Sequence, residues 1–223
     1  GSLPDDALAR AADENELTNP ERILEQAERM LLDDRARDVV KAFHRAYLRV
    51  GTTWPSTQKD PALFPTFHGG VASAMTEELD RFFDAVVFRD AGAFQDLFTS
   101  PLGFLNADTA AFYGMDPGSY AGELTEVTLD AEQRPGFLTR IGFLSANSGY
   151  TRTSPILRGA FISRYVSGID PGPPPPSSTQ PPASGSMEFL TNRERTEALT
   201  VSPECAGCHQ MYIDPTGFVL EAY

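Results

Sequence analysis

The sequence predicts a mainly α-helical fold: a helical bundle-like body, a proline-rich strap and a C-terminal segment that carries both cysteines. Apolar residues recur at helical spacing over much of residues 1–132. Residues 171–183 are dense in proline, so they cannot pair their backbone donors regularly and should be extended. The chain has 223 residues, 41% of them hydrophobic, which is enough for one large core or two modest ones.

Two helices are predicted near the N-terminus. Asn19 suits an N-cap and Pro20 a first turn, so a helix should begin there and be interrupted at Asp33 and Asp34. A second helix should end at Gly51. It carries one apolar stripe, formed by Val39, Val40, Phe43, Ala46, Tyr47 and Val50.

The longest helix is predicted from Val71 to Phe88. Its buried stripe should consist of Met75, Leu79, Phe82, Phe83 and Val86, and the residues expected to face water are Glu77, Glu78, Asp80 and Arg81. Further short helices are predicted over 93–99, 106–113, 136–146, 155–165 and 192–199, and one short strand over 124–129.

The charge pattern excludes some partners. A net charge of −13 is repelled by phosphate backbones and anionic lipid surfaces, so neither nucleic acid nor a membrane surface is expected as a partner. No run approaches the roughly 18 apolar residues of a membrane-spanning helix.

One stretch, 134–164, is basic without any acid. Its arginines should either form internal ion pairs, the favoured interpretation, or face an anionic ligand; they are Arg134, Arg140, Arg152, Arg158 and Arg164.

The strongest motif is Cys205-Ala-Gly-Cys208-His209, which contains both cysteines of the chain. Two thiols one helical turn apart can each add to a haem vinyl group, and the following imidazole can then bind the iron as its proximal ligand. The motif therefore predicts covalently bound haem c, with His209 as the metal ligand. It also predicts export to the periplasm or beyond the cell, by a signal segment outside this chain, since no signal pattern is visible within it.

Three alternatives compete with haem. A dithiol redox pair is expected beside a strand–helix unit, which this segment lacks. A zinc site needs about four ligands, so His44 or His68 would have to join the motif. A structural disulfide would leave His209 incidental. Haem attachment is the favoured interpretation.

The sixth iron ligand stays open. Met211 is too near His209 in sequence to reach the opposite haem face, and Met75 is spaced as a core residue. His44 lies at the edge of an apolar stripe and is expected to be a half-exposed surface residue, whereas His68, before two glycines, is better placed to approach a cofactor or could simply form a turn. A ligand outside the chain, or none, is equally compatible.

Arg158 is a candidate cofactor-binding residue. Because arginine pairs with carboxylates through a planar fork, we expect Arg158 or a neighbour in 134–164 to neutralise a haem propionate and hold the C-terminal segment on the helical body. The body, residues 3–168, is expected to keep its core without that segment. Covalent attachment needs an export-linked maturation system, so protein made in an ordinary cytoplasm should lack haem, with Cys205 and Cys208 free or joined.

Several segments together resemble a known family. They include Arg134-Pro-Gly-Phe-Leu-Thr139, Thr153-Ser-Pro-Ile-Leu-Arg-Gly159, the proline run, Asn192-Arg-Glu-Arg195, the cysteine motif and Ile213-Asp-Pro-Thr-Gly-Phe-Val-Leu-Glu221; upstream they include Leu3-Pro-Asp-Asp6, Glu77-Glu-Leu-Asp-Arg-Phe-Phe83, Phe104-Leu-Asn106 and Phe112-Tyr-Gly114. Nearly the whole chain resembles the large planctomycete- and myxobacterial-type cytochrome-like proteins. The resemblance implies two adjacent domains of unknown function within a longer exported polypeptide. Relatives often carry a histidine before the first cysteine, where this chain has Leu199.

We therefore expect four regions: a helical domain over 1–132, an arginine-rich helical start of a second domain over 133–170, the strap over 171–185, and the haem-attachment segment over 186–223.

The leading functional hypothesis is electron transfer to another cytochrome-like domain of the same polypeptide or to a redox partner. One alternative is a haem enzyme whose open sixth iron position handles peroxide, oxygen or an organic substrate. Another is a scaffold in which haem is structural or the cysteine motif binds none.

Overall fold

The computed structural model describes residues 3–47, 58–89, 92–174 and 191–223. In these ranges the chain is mainly α-helical, as predicted. Its helices are α1 (Asp6–Asp13), α2 (Pro20–Leu31), α3 (Asp34–Tyr47), α4 (Gly69–Asp84), α5 (Asp96–Thr99), α6 (Ile141–Ala146), α7 (Pro155–Phe161), α8 (Asn192–Thr200), α9 (Pro203–Cys208) and α10 (Asp214–Phe218). Strands β1 (Leu102–Leu105) and β2 (Thr125–Thr128) form a small sheet. Turns of π-helix follow α4, α7 and α9, over Ala85–Arg89, Ile162–Val166 and His209–Ile213.

The first helices begin where the sequence predicts but bury less than their patterns suggest. The Asn19 side chain accepts a hydrogen bond from the Glu21 backbone N–H at 2.8 Å, which confirms the start of α2. On α3, however, Val39 and Phe43 of the apolar stripe are 48% and 61% exposed. The predicted stop at Gly51 lies outside the described residues. Apolar periodicity therefore located these helices without determining how deeply they pack.

Helix α4 forms the centre of the core. The predicted stripe, from Met75 to Val86, is buried, with Phe82 fully so. The prediction that Glu78 faces water is wrong, because its side chain is completely buried. The Tyr113 hydroxyl lies 2.8 and 2.9 Å from the two Glu78 carboxylate oxygens. A partner from a distant segment thus makes burial of this acid possible, which helical periodicity does not reveal.

The sheet consists of β1 and β2 in antiparallel register, with Leu102 opposite Thr128 and Leu105 opposite Thr125. The short strand predicted over 124–129 is confirmed, whereas its partner β1 was not predicted. The helix predicted over 106–113 is only a 3₁₀ turn, Ala110–Tyr113, and it ends as expected at Gly114, whose φ is +73°. The remaining predicted helices correspond to α5, α6, α7 and α8, with a 3₁₀ turn over Phe137–Thr139 before α6.

Most of the arginines in the basic stretch have backbone partners. Arg140 is fully buried and donates to the carbonyl oxygens of Ser100, Leu102 and Arg134. Among the described residues, Arg164 alone follows the ion-pair expectation, since it binds Asp170 at 2.6 Å. Most of the other arginines bind carbonyls because buried carbonyls at strand and turn ends need donors. The stretch itself contains no acid with which they could pair.

The hydrophobic core includes the C-terminal segment. Leu220 is 5% exposed and belongs to the same cluster as Phe82 of α4 and Phe161 of α7. The expectation that residues 3–168 keep their core without this segment is therefore wrong for the core around α7. The predicted strap is described only over residues 171–174, and the rest of it lies outside the described residues. Within the described ranges, no helix is both long and apolar enough to span a bilayer.

Candidate haem-attachment site

Helix α9 carries both cysteines. Pro203 lies in its first turn, and the backbone N–H groups of Cys205 and Ala206 donate to the Ser202 carbonyl at 2.9 and 2.8 Å. Because residues three apart share a helix face, the two thiols lie on one face, one turn apart. Both cysteines are free and half-buried. The local structure thus presents two free thiols on one helix face.

Part of the described chain lies against one of these thiols. The Cys208 thiol lies 3.4 Å from the carbonyl oxygen of Pro171, at the start of the proline-rich segment. A methyl group added at Gly207, between the cysteines, would meet no described atom within 4 Å. Cys208 therefore contacts Pro171, whereas the described residues leave space at Gly207.

His209 follows directly and is fixed by a buried acid. Its Nδ1 lies 2.8 Å from Oδ1 of Asp214, and the two side chains are 20% and 5% exposed. A carboxylate accepts hydrogen bonds and does not donate them, so the proton resides on Nδ1. When the ring is neutral, Nε2 of His209 keeps its lone pair and can bind a metal.

Asp214 is itself held in place from α8. The Thr200 hydroxyl lies 2.6 Å from Asp214 Oδ2, a length typical of a hydroxyl donating to a carboxylate. Thr200 is 3% exposed and Asp214 4%. The result is a buried chain of hydrogen bonds, from Thr200 through Asp214 to His209, that links α8 to the motif.

The π-helical turn His209–Ile213 brings this pair together. In an α-helix, residues five apart point about 140° away from each other, since each residue rotates the side chain by about 100°. A π-helix bonds residue i to residue i+5 and therefore stacks such residues on one face. Pro215 lacks a backbone N–H and cannot donate to the preceding turn, which favours this widening.

Side-chain hydroxyls bond to carbonyls at the end of this turn. The Thr216 hydroxyl lies 2.6 Å from the Tyr212 carbonyl oxygen and 3.0 Å from that of Ile213. From the π-helical turn that follows α7, Ser163 donates to the Tyr212 carbonyl at 2.9 Å. These hydrogen bonds connect the turn to Thr216 and to the segment after α7.

Two glycines let α7 press against this turn. A methyl group at Gly159 would lie 2.8 Å from the carbonyl carbon of Ile213 and 3.0 Å from the Gly217 nitrogen. A methyl group at Gly217 would lie 2.8 Å from the carbonyl carbon of Pro155. All three distances are shorter than van der Waals contact, so only glycine permits this backbone approach. The close approach of α7 therefore positions the turn that holds His209 and Asp214.

The other histidines and methionines considered for the site lie elsewhere. His44 is buried, not half-exposed as expected: its ring stacks on Phe83 with centroids 4.2 Å apart, and Nδ1 lies 2.8 Å from the Val40 carbonyl. Burial lowers the pKa of His44. His68 caps α4, where its Nδ1 accepts from the Gly70 N–H. Met75 is in the core, as predicted, and Met211 is 65% exposed.

These positions bear on the zinc alternative. Neither His44 nor His68 joins Cys205 and Cys208, because both rings are engaged on α3 and α4. Within the described parts of the chain, no three histidine, cysteine or acidic side chains converge as a metal-binding group. The geometry therefore gives the zinc hypothesis no ligand set.

Arg158 lies beneath the C-terminal segment. It is 2% exposed, and its guanidinium donates to the carbonyl oxygens of Leu220 at 2.7 Å, Tyr223 at 3.1 Å and Leu144 at 3.4 Å. Its Nε is buried and has no hydrogen-bond partner among the described residues. Desolvation lowers the Arg158 pKa to about 10. Arg158 thus contacts the segment that carries the motif, while its pairing with a haem propionate stays a prediction.

The fold and the site together define a mainly α-helical chain with a cysteine–cysteine–histidine motif on a C-terminal helix. Residues 1–115 match the family PSD4, Protein of unknown function (DUF1592). Since this match spans more than half of the chain, the protein belongs to that family. Residues 134–223 match a second family, PSCyt3, Protein of unknown function (DUF1588). No curated protein and no solved structure shows a significant match to the chain.

The two matches confirm the prediction of two adjacent domains of unknown function. The name PSCyt3 points to a cytochrome-associated domain, but neither description assigns a function. The division at residues 132 and 133 stays a prediction. Sequence reasoning missed Asp214 and Thr200. Asp214 stands within the Ile213–Glu221 segment of the resemblance, and five-residue spacing from the histidine, followed by proline, was the available signal.

Proposed function

We propose that this chain is a c-type haem-binding module of a larger exported protein and that it transfers electrons. One observation carries the proposal: two free thiols lie one turn apart on α9, next to a histidine whose Nδ1 lies 2.8 Å from Asp214, which leaves Nε2 as the ring nitrogen that would bind iron. Two thiols and one imidazole nitrogen are the donor set that covalent haem attachment uses. The residues present therefore fit the group.

Each residue has a separate task in this arrangement. The thiols of Cys205 and Cys208 would each add across a vinyl double bond, the sulfur bonding to one carbon and the thiol proton going to the other. His209 would bind the iron through Nε2. Bound haem would supply one-electron cycling between ferrous and ferric iron. Because the motif helix is half-exposed, an edge of the group would remain near the surface, where a partner domain can approach.

The test is attachment in an export-competent host. The full chain, directed to the periplasm together with a c-type maturation system, should gain the mass of one haem, which intact-mass spectrometry resolves. The double variant Cys205→Ser, Cys208→Ser should gain none. His209→Ala should alter the visible absorption spectrum, while the matched control His68→Ala, on an exposed cap of α4, should leave it unchanged.

Ligand binding then distinguishes electron transfer from catalysis. An electron-transfer module should have a low-spin, six-coordinate spectrum that carbon monoxide and cyanide do not change. Rapid binding of either molecule would favour the alternative of a haem enzyme with an open position. Wild-type protein that stays colourless after successful export, with both thiols unmodified, would refute haem binding altogether.

A further inference from the structure

Asp214 is a buried acid that the motif itself does not require. Its side chain is 5% exposed, and each of its oxygens has one close polar partner: Oδ1 the His209 ring and Oδ2 the Thr200 hydroxyl. An acid is rarely buried unless it is paired. Here Asp214 is paired with Thr200 of α8 and with His209, which follows the second cysteine.

We propose that Asp214 is a positioning residue for His209, held by Thr200, and that it sets the reduction potential of the bound iron. The inference rests on the proposed function. In metal sites, the second ring nitrogen of a ligating histidine commonly donates to a carboxylate, which fixes the tautomer and makes the ligand more electron-rich. Asp214 stands in that relation to His209.

The direction of the effect follows from charge. A carboxylate that accepts from Nδ1 increases electron density on the imidazole and thereby favours the more positively charged ferric iron. It is buried, so water screens this interaction little. Asp214 should therefore lower the reduction potential compared with a neutral side chain at the same position.

The local backbone conformation brings His209 and Asp214 together. The π-helical turn places residues 209 and 214 on one face, and Ser163 and Thr216 donate to the Tyr212 carbonyl in that turn. An ordinary α-helix through Asp214 would direct the two side chains apart, so the turn is what makes the contact.

The first experiment uses the full chain without haem. With uniform ¹⁵N labelling and at a pH where His209 is neutral, nitrogen chemical shifts should identify the Nδ1–H tautomer. A predominant Nε2–H tautomer in the wild-type chain would overturn the proposal, and this measurement needs no variant that might fail to fold.

The second experiment measures reduction potentials of the haem-loaded full chain. Asp214→Asn should shift the ferric–ferrous equilibrium toward ferrous iron by at least about tenfold, which is a rise of about 59 mV for a one-electron couple. Thr200→Val keeps the acid and removes only its second hydrogen-bond partner, so its potential should change by less than that of Asp214→Asn. Asp108→Asn is the matched control, because Asp108 lies 3.9 Å from Nε2 of the exposed His68, and it should change nothing.

The outcomes separate the two proposals. Wild-type protein that attaches no haem refutes the proposed function and with it the role of Asp214. Protein that attaches haem but shows the same potential in the wild type and Asp214→Asn refutes the positioning role alone. A rise in Asp214→Asn, a smaller change in Thr200→Val and an unchanged Asp108→Asn potential support it.

Discussion

The substitution Gly159→Ala tests the contact between α7 and the π-helical turn His209–Ile213. An ideal methyl group at Gly159 overlaps the Ile213 carbonyl group, with 2.8 Å to the carbonyl carbon, and lies 3.0 Å from the Gly217 nitrogen. Comfortable contacts of this kind measure about 3.5–4.0 Å. Every opposing atom belongs to the backbone, so no side-chain rotation relieves the overlap, and α7 must move away from the π-helical turn.

The magnitude follows from two opposing contributions. Overpacking of a rigid contact costs about 3 kcal/mol, the upper end of the usual range. Alanine is a better helix former than glycine by about 1 kcal/mol, which offsets part of this cost within α7. The net loss in the free energy of unfolding should be about 2 kcal/mol. For a chain of this length that corresponds to a decrease in Tm of about 4–8 °C.

The assay is urea unfolding of the full haem-free chain, followed by far-ultraviolet circular dichroism. Gly69→Ala is the control, because a methyl group there meets nothing within 4 Å at the first residue of α4, and its effect should stay within about 0.5 kcal/mol. If Gly159→Ala is as stable as the control, α7 does not contact the π-helical turn His209–Ile213 as closely as described. That result would refute the predicted overlap.

Two further predictions concern buried charges. Burial raises the pKa of Glu78 from 4.5 to about 7, so the folded chain holds that proton to higher pH than the unfolded chain. The free energy of unfolding should therefore contain a contribution that falls as pH rises from about 4.5 to 7, and Glu78→Gln should remove it. Parallel stability–pH curves for the two proteins, from urea titrations at pH 5 and 8, would contradict this. Arg158→Lys should destabilise the docked C-terminal segment by about 2–4 kcal/mol, because one ammonium cannot replace the guanidinium donors to Leu220 and Tyr223. Faster proteolysis near the C-terminus should report it, and an unchanged cleavage rate would exclude this role.

Local patterns predicted local features well. The Asn19–Pro20 start of α2 and the buried stripe of α4 depend on a few neighbouring residues, so their signals are complete in the sequence. The same holds for Cys205 and Cys208, since their side-by-side placement needs only one turn of helix. The cysteine motif is therefore the part of the site that required no tertiary information.

Predictions failed where a remote partner decides the outcome. Glu78 looks like a surface residue on α4, yet Tyr113, 35 positions away, binds its carboxylate inside the core. The sequence likewise did not show that the donors of Arg158 meet carbonyls of the C-terminal segment, while its pairing with a haem propionate stays a prediction. Burial of a charged group is acceptable only with a suitable partner, and its identity depends on the fold.

The sequence alone determined a mainly α-helical chain, the buried face of α4 and the adjacent placement of Cys205, Cys208 and His209. Only the tertiary structure decided that Asp214 lies against His209. Five residues of α-helix would separate these side chains by about 140°, and the contact exists because a π-helical turn, packed on α7 through Gly159, rotates them onto one face. Helical spacing is a property of neighbouring residues, whereas the departure from it depends on contacts with segments distant in sequence.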